Sequence, residues 1–135
     1  MKIKDLRIGT IVWHSGEYIG YRYSEVIGFL DAEYVIVLEH FREGRDDMVF
    51  KRVFAIEAVQ GFPLTSKILK NNGFKLNIYN SIEKDGKKIG LFRSAENEKA
   101  FLRLQLYDSR KVFKYVHEFQ NFLNLTGFDD ELKIE

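Results

Sequence analysis

The stretch PLTSKILKNNGF, residues 63–74, separates two kinds of sequence. Pro63 is the sole proline of the chain. Past it, Thr65 stands at an N-cap position, where a hydroxyl accepts a free N–H of the first helical turn. Gly73 stands where a left-handed C′ residue closes a helix, and Phe74 is placed to fold back on Leu69. The stretch therefore reads as a two-turn helix over about 65–72, the first in the chain.

Everything before it reads as strand. LRIGTIVWHSGE (6–17) is an apolar run ending in the turn signal Ser15-Gly16. YRYSEVIGFLD (21–31), EYVIVLEHF (33–41) and MVFKRVFAIEAV (48–59) are rich in β-branched and aromatic residues. REGRDD (42–47) is a charged hairpin loop in which Gly44 supplies positive φ. Four or five strands without a helical period predict an antiparallel N-terminal half over 1–62, either a small SH3-like β-barrel or a curled sheet.

Behind the first helix, the alternation of FKLNIYNSI (74–82) sets Phe74, Leu76 and Ile78 against Lys75, Asn77 and Tyr79. Asp85-Gly86 is a strong two-residue hairpin signal. FLRLQLY (101–107) places Leu102, Leu104 and Leu106 on one side, with Arg103 and Gln105 on the other. These segments predict a three-stranded meander over about 74–107. A second helix follows over about 110–126, where Val112, Tyr115, Val116, Phe119, Phe122 and Leu123 form one stripe at 3.6-residue spacing. KVF (111–113) also suits a strand, which leaves the first residue of that helix open. Asp108 or Ser109 is its candidate cap, and Gly127 its stop. The pattern Leu-x-x-x-Gly-Phe ends both helices, at Leu69–Phe74 and at Leu123–Phe128. The fold class is α+β, with the barrel-like half and the helix–meander–helix half (63–135) expected to pack as one compact unit.

The opposite side of the second helix holds His117, Gln120, Asn121 and Asn124, spaced i, i+3, i+4, i+7. HEFQN approaches the metal motif H-E-x-x-H but fails at Asn121, a poor zinc ligand. Solvated helix faces normally carry Lys and Glu, whereas neutral amides suit hydrogen bonding to a second surface without burial of charge. This face is the primary candidate for docking. The second candidate is a nucleic-acid face of Trp13, Tyr21, Arg22 and Tyr23, with the two tyrosines on one strand face and Arg22 opposite.

Composition narrows the function classes. The chain has 135 residues, 45% apolar and 30% charged, with a net charge of +1 and acids and bases intermixed. That balance disfavours a sequence-independent hold on nucleic acid, which needs a clustered basic face. No Cys is present, which excludes disulfides, thiol catalysis and zinc knuckles. Twelve Phe, seven Tyr and one Trp read first as core. KDGKK (84–88) is a basic hairpin tip that reads as a solvated turn ahead of a phosphate contact, and the acidic groups Asp46-Asp47 and Asp129-Asp130-Glu131 lack the spacing that wraps a cation. No phosphate-binding glycine loop or nucleophile elbow occurs. The expectation is a non-enzyme without cofactor or metal. The opening MKIKDLRIG has no apolar leader run, so a cytoplasmic location without membrane contact is expected.

Three blocks, KIKDLRIGTIV (2–12), PLTSKILKNNGF and KYVHEFQNFLNLTG (114–127), resemble in that order an uncharacterised family of small proteins common in gut Bacteroidetes and their phages and mobile elements. Its usual wording is close to M-x-I-x-[ED]-L-R-I-G-N-x-V, P-I-P-L-T-x-x-[IW]-L-x-x-x-G-F and Y-V-H-Q-L-Q-N-L-Y-F-A-L-T-G. Thr10 replaces the usual Asn, Gly61-Phe62 the usual Pro-Ile before Pro63, and NFLNLTG the usual NLYFALTG. His117, Gln120 and Asn121 fall on the H-x-L-Q-N positions. The resemblance implies no assigned activity and adds no mechanism; the amide face carries the expectation of an accessory module that meets a protein partner or a second copy of itself.

Overall fold

The computed structural model describes residues 6–14, 19–77, 80–128 and 131–134. The turn at Ser15-Gly16, the inward Ile78 and the acidic pair Asp129-Asp130 lie outside the described residues. The chain divides into two compact units, Met1–Phe62 and Pro63–Glu135.

The first unit is an antiparallel five-stranded sheet. Its strands are β1 (Ile11–His14), β2 (Tyr21–Phe29), β3 (Tyr34–Glu43), β4 (Asp46–Ala55) and β5 (Val59–Gly61), in the order β4-β3-β2-β1-β5. Gly44 and Arg45 form the tight turn between Glu43 and Asp46, so the charged residues on either side lie on strands and not in a loop. One face is apolar because the strands alternate with period two. Val12, Val26, Val35, Val37, Ile56 and Val59 are buried together with Leu6, and Phe54 packs against them. Among the described residues no pairing joins β4 to β5, so the sheet is open and a closed barrel is not formed. Closure would need those two edges to hydrogen-bond. Instead, β5 offers only three residues and spends them on β1.

The second unit contains α1 (Ser66–Asn71), β6 (Lys75–Leu76), β7 (Ser81–Lys84), β8 (Lys87–Glu96), β9 (Leu102–Leu106), β10 (Val112–Phe113) and α2 (Val116–Leu125). Its sheet runs β10-β9-β8-β7-β6, five strands where the sequence predicts three. The extra edge comes from KVF. Phe113 pairs with Leu104 and Val112 with Gln105, so these residues extend the sheet and do not begin the helix. Ser109 accordingly caps a turn, its hydroxyl accepting the Lys111 N–H at 3.1 Å. The helix starts at Val116, after Tyr115, and Glu118 reaches back to accept the N–H groups of Lys114 and Tyr115 at 2.8 and 3.0 Å. A Glu at this third helical position satisfies donors that have no partner within the helix.

Both helix ends close as their shared pattern predicts. Thr65 caps α1 by accepting the Ile68 N–H at 3.1 Å. The Phe74 N–H returns to the Leu69 carbonyl at 3.0 Å, and the Phe128 N–H to that of Leu123 at 2.9 Å. Gly73 and Gly127 sit between, at φ +85° and +93°. A Cβ at 127 would meet no heavy atom within 4 Å beyond its chain neighbours, so the cost of adding one lies in the backbone conformation. Gly127→Val is expected to lose about 1–3 kcal/mol, because a β-branched residue resists positive φ. Thermal melting of the two proteins checks this, and an unchanged midpoint would refute the capping role.

Candidate functional site

The structure assembles two polar sites, one in each unit. In the second unit, His117, Gln120 and Asn121 are half-buried on α2 and Asn124 is exposed. The His117 ring stacks on Tyr115 with centroids 5.7 Å apart. The Gln120 side-chain amide donates to Asn124 Oδ1 at 3.0 Å, and its Oε1 accepts the backbone N–H of Leu132 at 2.6 Å. Leu132 is only 7% exposed. Asn72, the C-cap of α1, completes the arrangement: its Oδ1 accepts the Lys133 N–H at 2.8 Å and its Nδ2 donates to the Lys133 carbonyl at 2.7 Å. Gln120 and Asn124 of the predicted face are thus joined to each other, and Gln120 holds the chain's own segment 131–134. Asn72 is absent from the sequence-derived set, although a C-cap Asn is a residue whose side chain is often free to bond beyond its helix.

The first unit encloses a charged cluster. Glu39 is fully buried, and its Oε2 lies 2.6 Å from His14 Nε2. Its Oε1 lies 3.3 Å from Arg52 Nε. Beside this pair, the Tyr21 hydroxyl and Ser24 Oγ are 2.7 Å apart, and the Tyr21 ring lies 4.4 Å from that of His14. Burial pushes the Tyr21 phenol above its ordinary range, against the opposing effect of the Ser24 hydrogen bond. Sequence reading passes over Glu39 and Ser24. The signal was present, since a Glu continuing the inward positions Val35 and Val37 is a charge aimed at a core.

Of the nucleic-acid set, Trp13 and Tyr21 come together with ring centroids 5.2 Å apart, and Tyr21 lies 5.5 Å from Phe41. Tyr23 does not join them. The β2–β3 register shifts between Tyr21, opposite Phe41, and Tyr23, opposite His40. Such a bulge inserts one residue and reverses the side to which later residues point. Tyr23 consequently stacks on His40 at 4.4 Å, beside Glu25, and the two tyrosines occupy opposite faces. Arg22 lies 3.4 Å from Asp47, which also accepts from Arg42 at 2.9 Å. The Arg42 hydrogen bond holds the Asp47 carboxyl below the ordinary carboxylate range. His14 and His40 bind different carboxylates, and among the described residues no group of three or more His, Asp or Glu is arranged to hold a metal ion.

No protein-family model, curated protein or solved structure matches this chain. Among the described residues, no helix is long and apolar enough to cross a membrane.

Proposed function

We propose that the protein is a non-enzymatic cytoplasmic accessory module that binds another protein or a second copy of itself, with the phage or mobile-element origin that its sequence resemblance suggests. The observation that carries this reading is strand β4. It is a ten-residue edge strand whose pairing to β3 uses every residue on one side. Val49, Phe50 and Val53 on it are 50%, 50% and 49% exposed. Edge strands are ordinarily blunted with outward charge. Here Arg52 is drawn onto Glu39 and lies over the Phe54 ring at 5.3 Å, so Lys51 is the one charge standing outward among residues 48–55, and apolar side chains remain in water on both faces of the edge. Such an edge offers unpaired backbone groups together with side-chain anchors, the combination used in strand addition.

The nucleic-acid reading has weaker support. The first unit carries eight Lys and Arg against ten Asp and Glu, a net charge of −2. Its aromatic set is split by the bulge, and Arg22 already faces Asp47. Backbone phosphates would meet net repulsion.

The test is to express tagged parent and Val49→Glu/Val53→Glu proteins side by side, with nuclease treatment and at two salt concentrations; both positions lie on the face of β4 away from Glu39. Two charges on an exposed edge should leave folding nearly intact. The parent is expected to hold a protein partner, or to dimerise in light scattering, with little response to salt, and the variant to lose that association. A parent that stays monomeric and loses no protein on substitution overturns the edge as an interface. Salt-sensitive capture of nucleic acid would favour the alternative.

A further inference from the structure

We propose that Asn72 and Gln120 form a binding site for an extended polypeptide with a leucine anchor, and that segment 131–134 occupies this site in cis. The site lies in the second unit and is argued independently of β4.

The contacts have the character of recognition and not of core packing. Three backbone groups on two consecutive residues are satisfied: the N–H of Leu132, and the N–H and carbonyl of Lys133. In each case the partner is a side-chain amide, and neither helix nor sheet ladder is extended. The pairing of Asn72 with both polar groups of Lys133 imitates a β-bridge. The side chains of Glu131 and Lys133 are exposed and go unread, while that of Leu132 is buried. Main-chain hydrogen bonds with one pocketed side chain are how extended peptides are bound wherever affinity comes from backbone and selectivity from an anchor. The chemistry required of an occupant follows: an extended backbone, Leu or a similar aliphatic residue as anchor, and any residue but Pro after it, since that position must donate an N–H.

The two amides are also positioned before the segment arrives. Asn72 Nδ2 donates to the Ile68 carbonyl of its own helix at 2.7 Å, and Gln120 is tied to Asn124 one helical turn away. A site held in its bound geometry by its own elements loses less order when an occupant docks. Both amides are half-buried, so water can take the place of the segment without leaving a dry unpaired group. The site is therefore stable empty, and its cis occupant acts as a tethered competitor whose effective concentration masks it from other peptides.

Two measurements test this. In the full chain, Leu132→Asp should expel the anchor. A fluorescent peptide of residues 129–134, DDELKI, is then expected to bind the variant saturably, at least about ten-fold more tightly than it binds the parent. Adding Asn72→Ala should remove most of that binding, as should Asp in place of Leu in the peptide. A folded Leu132→Asp protein that ignores the peptide overturns the proposal. The second measurement uses the parent and so does not depend on the variant folding. A releasable segment requires the amides of Leu132 and Lys133 to exchange with deuterium at least about ten-fold faster than that of Leu123 within α2. Equal protection would make the segment part of the global fold and refute a site that opens.

Discussion

In urea, Phe119→Ala is expected to unfold about 3–5 kcal/mol more readily than the parent. Phe119 is fully buried, and four other rings surround it: Phe74 at 5.8 Å, Phe113 at 6.1 Å, and Phe92 and Phe122 at 6.2 Å. Three of those contacts are edge-on, the geometry in which aromatic pairs add to simple burial. The rings come from the segment between α1 and β6, from β8, from β10 and from α2 itself. A void bordered by that many separately anchored elements cannot collapse by one local shift, which places the cost toward the upper part of the range. Among the described residues both α-helices belong to the second unit, so helical circular dichroism follows its unfolding, and Trp13, the sole Trp, reports on the first. The expected result is a lowered midpoint in the helical signal. A change below about 1 kcal/mol would mean that this ring is not a keystone of the core.

Phe119 also marks how far the fold was legible. Its helix was readable because an amphipathic stripe is local, and both helix ends were readable because a C′ glycine followed by an apolar residue is a local device. Val112 shows where locality fails. It falls on the helix stripe by spacing alone, yet its pairing with Gln105 depends on a neighbour seven residues away and on a turn shaped by Ser109. Tyr21 and Tyr23 fail for a similar reason: alternation assigns them one face unless a bulge intervenes, and the bulge is set by pairing with Phe41 and His40. The amide face of α2 was visible as a pattern, but its occupant was not. Leu132 and Lys133 have no period to announce them, and their partners are side chains twelve and sixty-one residues distant.

The second large effect is expected at Glu39. Glu39→Ala should destabilise the first unit by about 3–5 kcal/mol, because it removes one partner of a buried pair and takes from the other the carboxylate it faces. His14 is 3% exposed and has the Glu39 carboxylate 2.6 Å from its Nε2, so it must lose that partner with little compensating solvent. Arg52 bears less of the cost, since its side chain is 47% exposed and can turn back to water. Changing His14 and Glu39 together to Leu separates two explanations. If the pair is retained for stability, the double variant should be as poor as the single one. Buried ion pairs are often matched or exceeded by apolar residues of similar volume, so the double variant is expected to recover most of the loss. Fluorescence of Trp13, adjacent to His14, follows both proteins in denaturant. Recovery would mean that the cluster is not retained for stability, and a role in strand register is then the reading its placement supports, because a one-residue slip of β3 would turn Glu39 to water and bring His40 inward without its Glu25 and Tyr23 neighbours. A single variant as stable as the parent would instead show that the contact between Glu39 and His14 contributes nothing to the stability of the first unit.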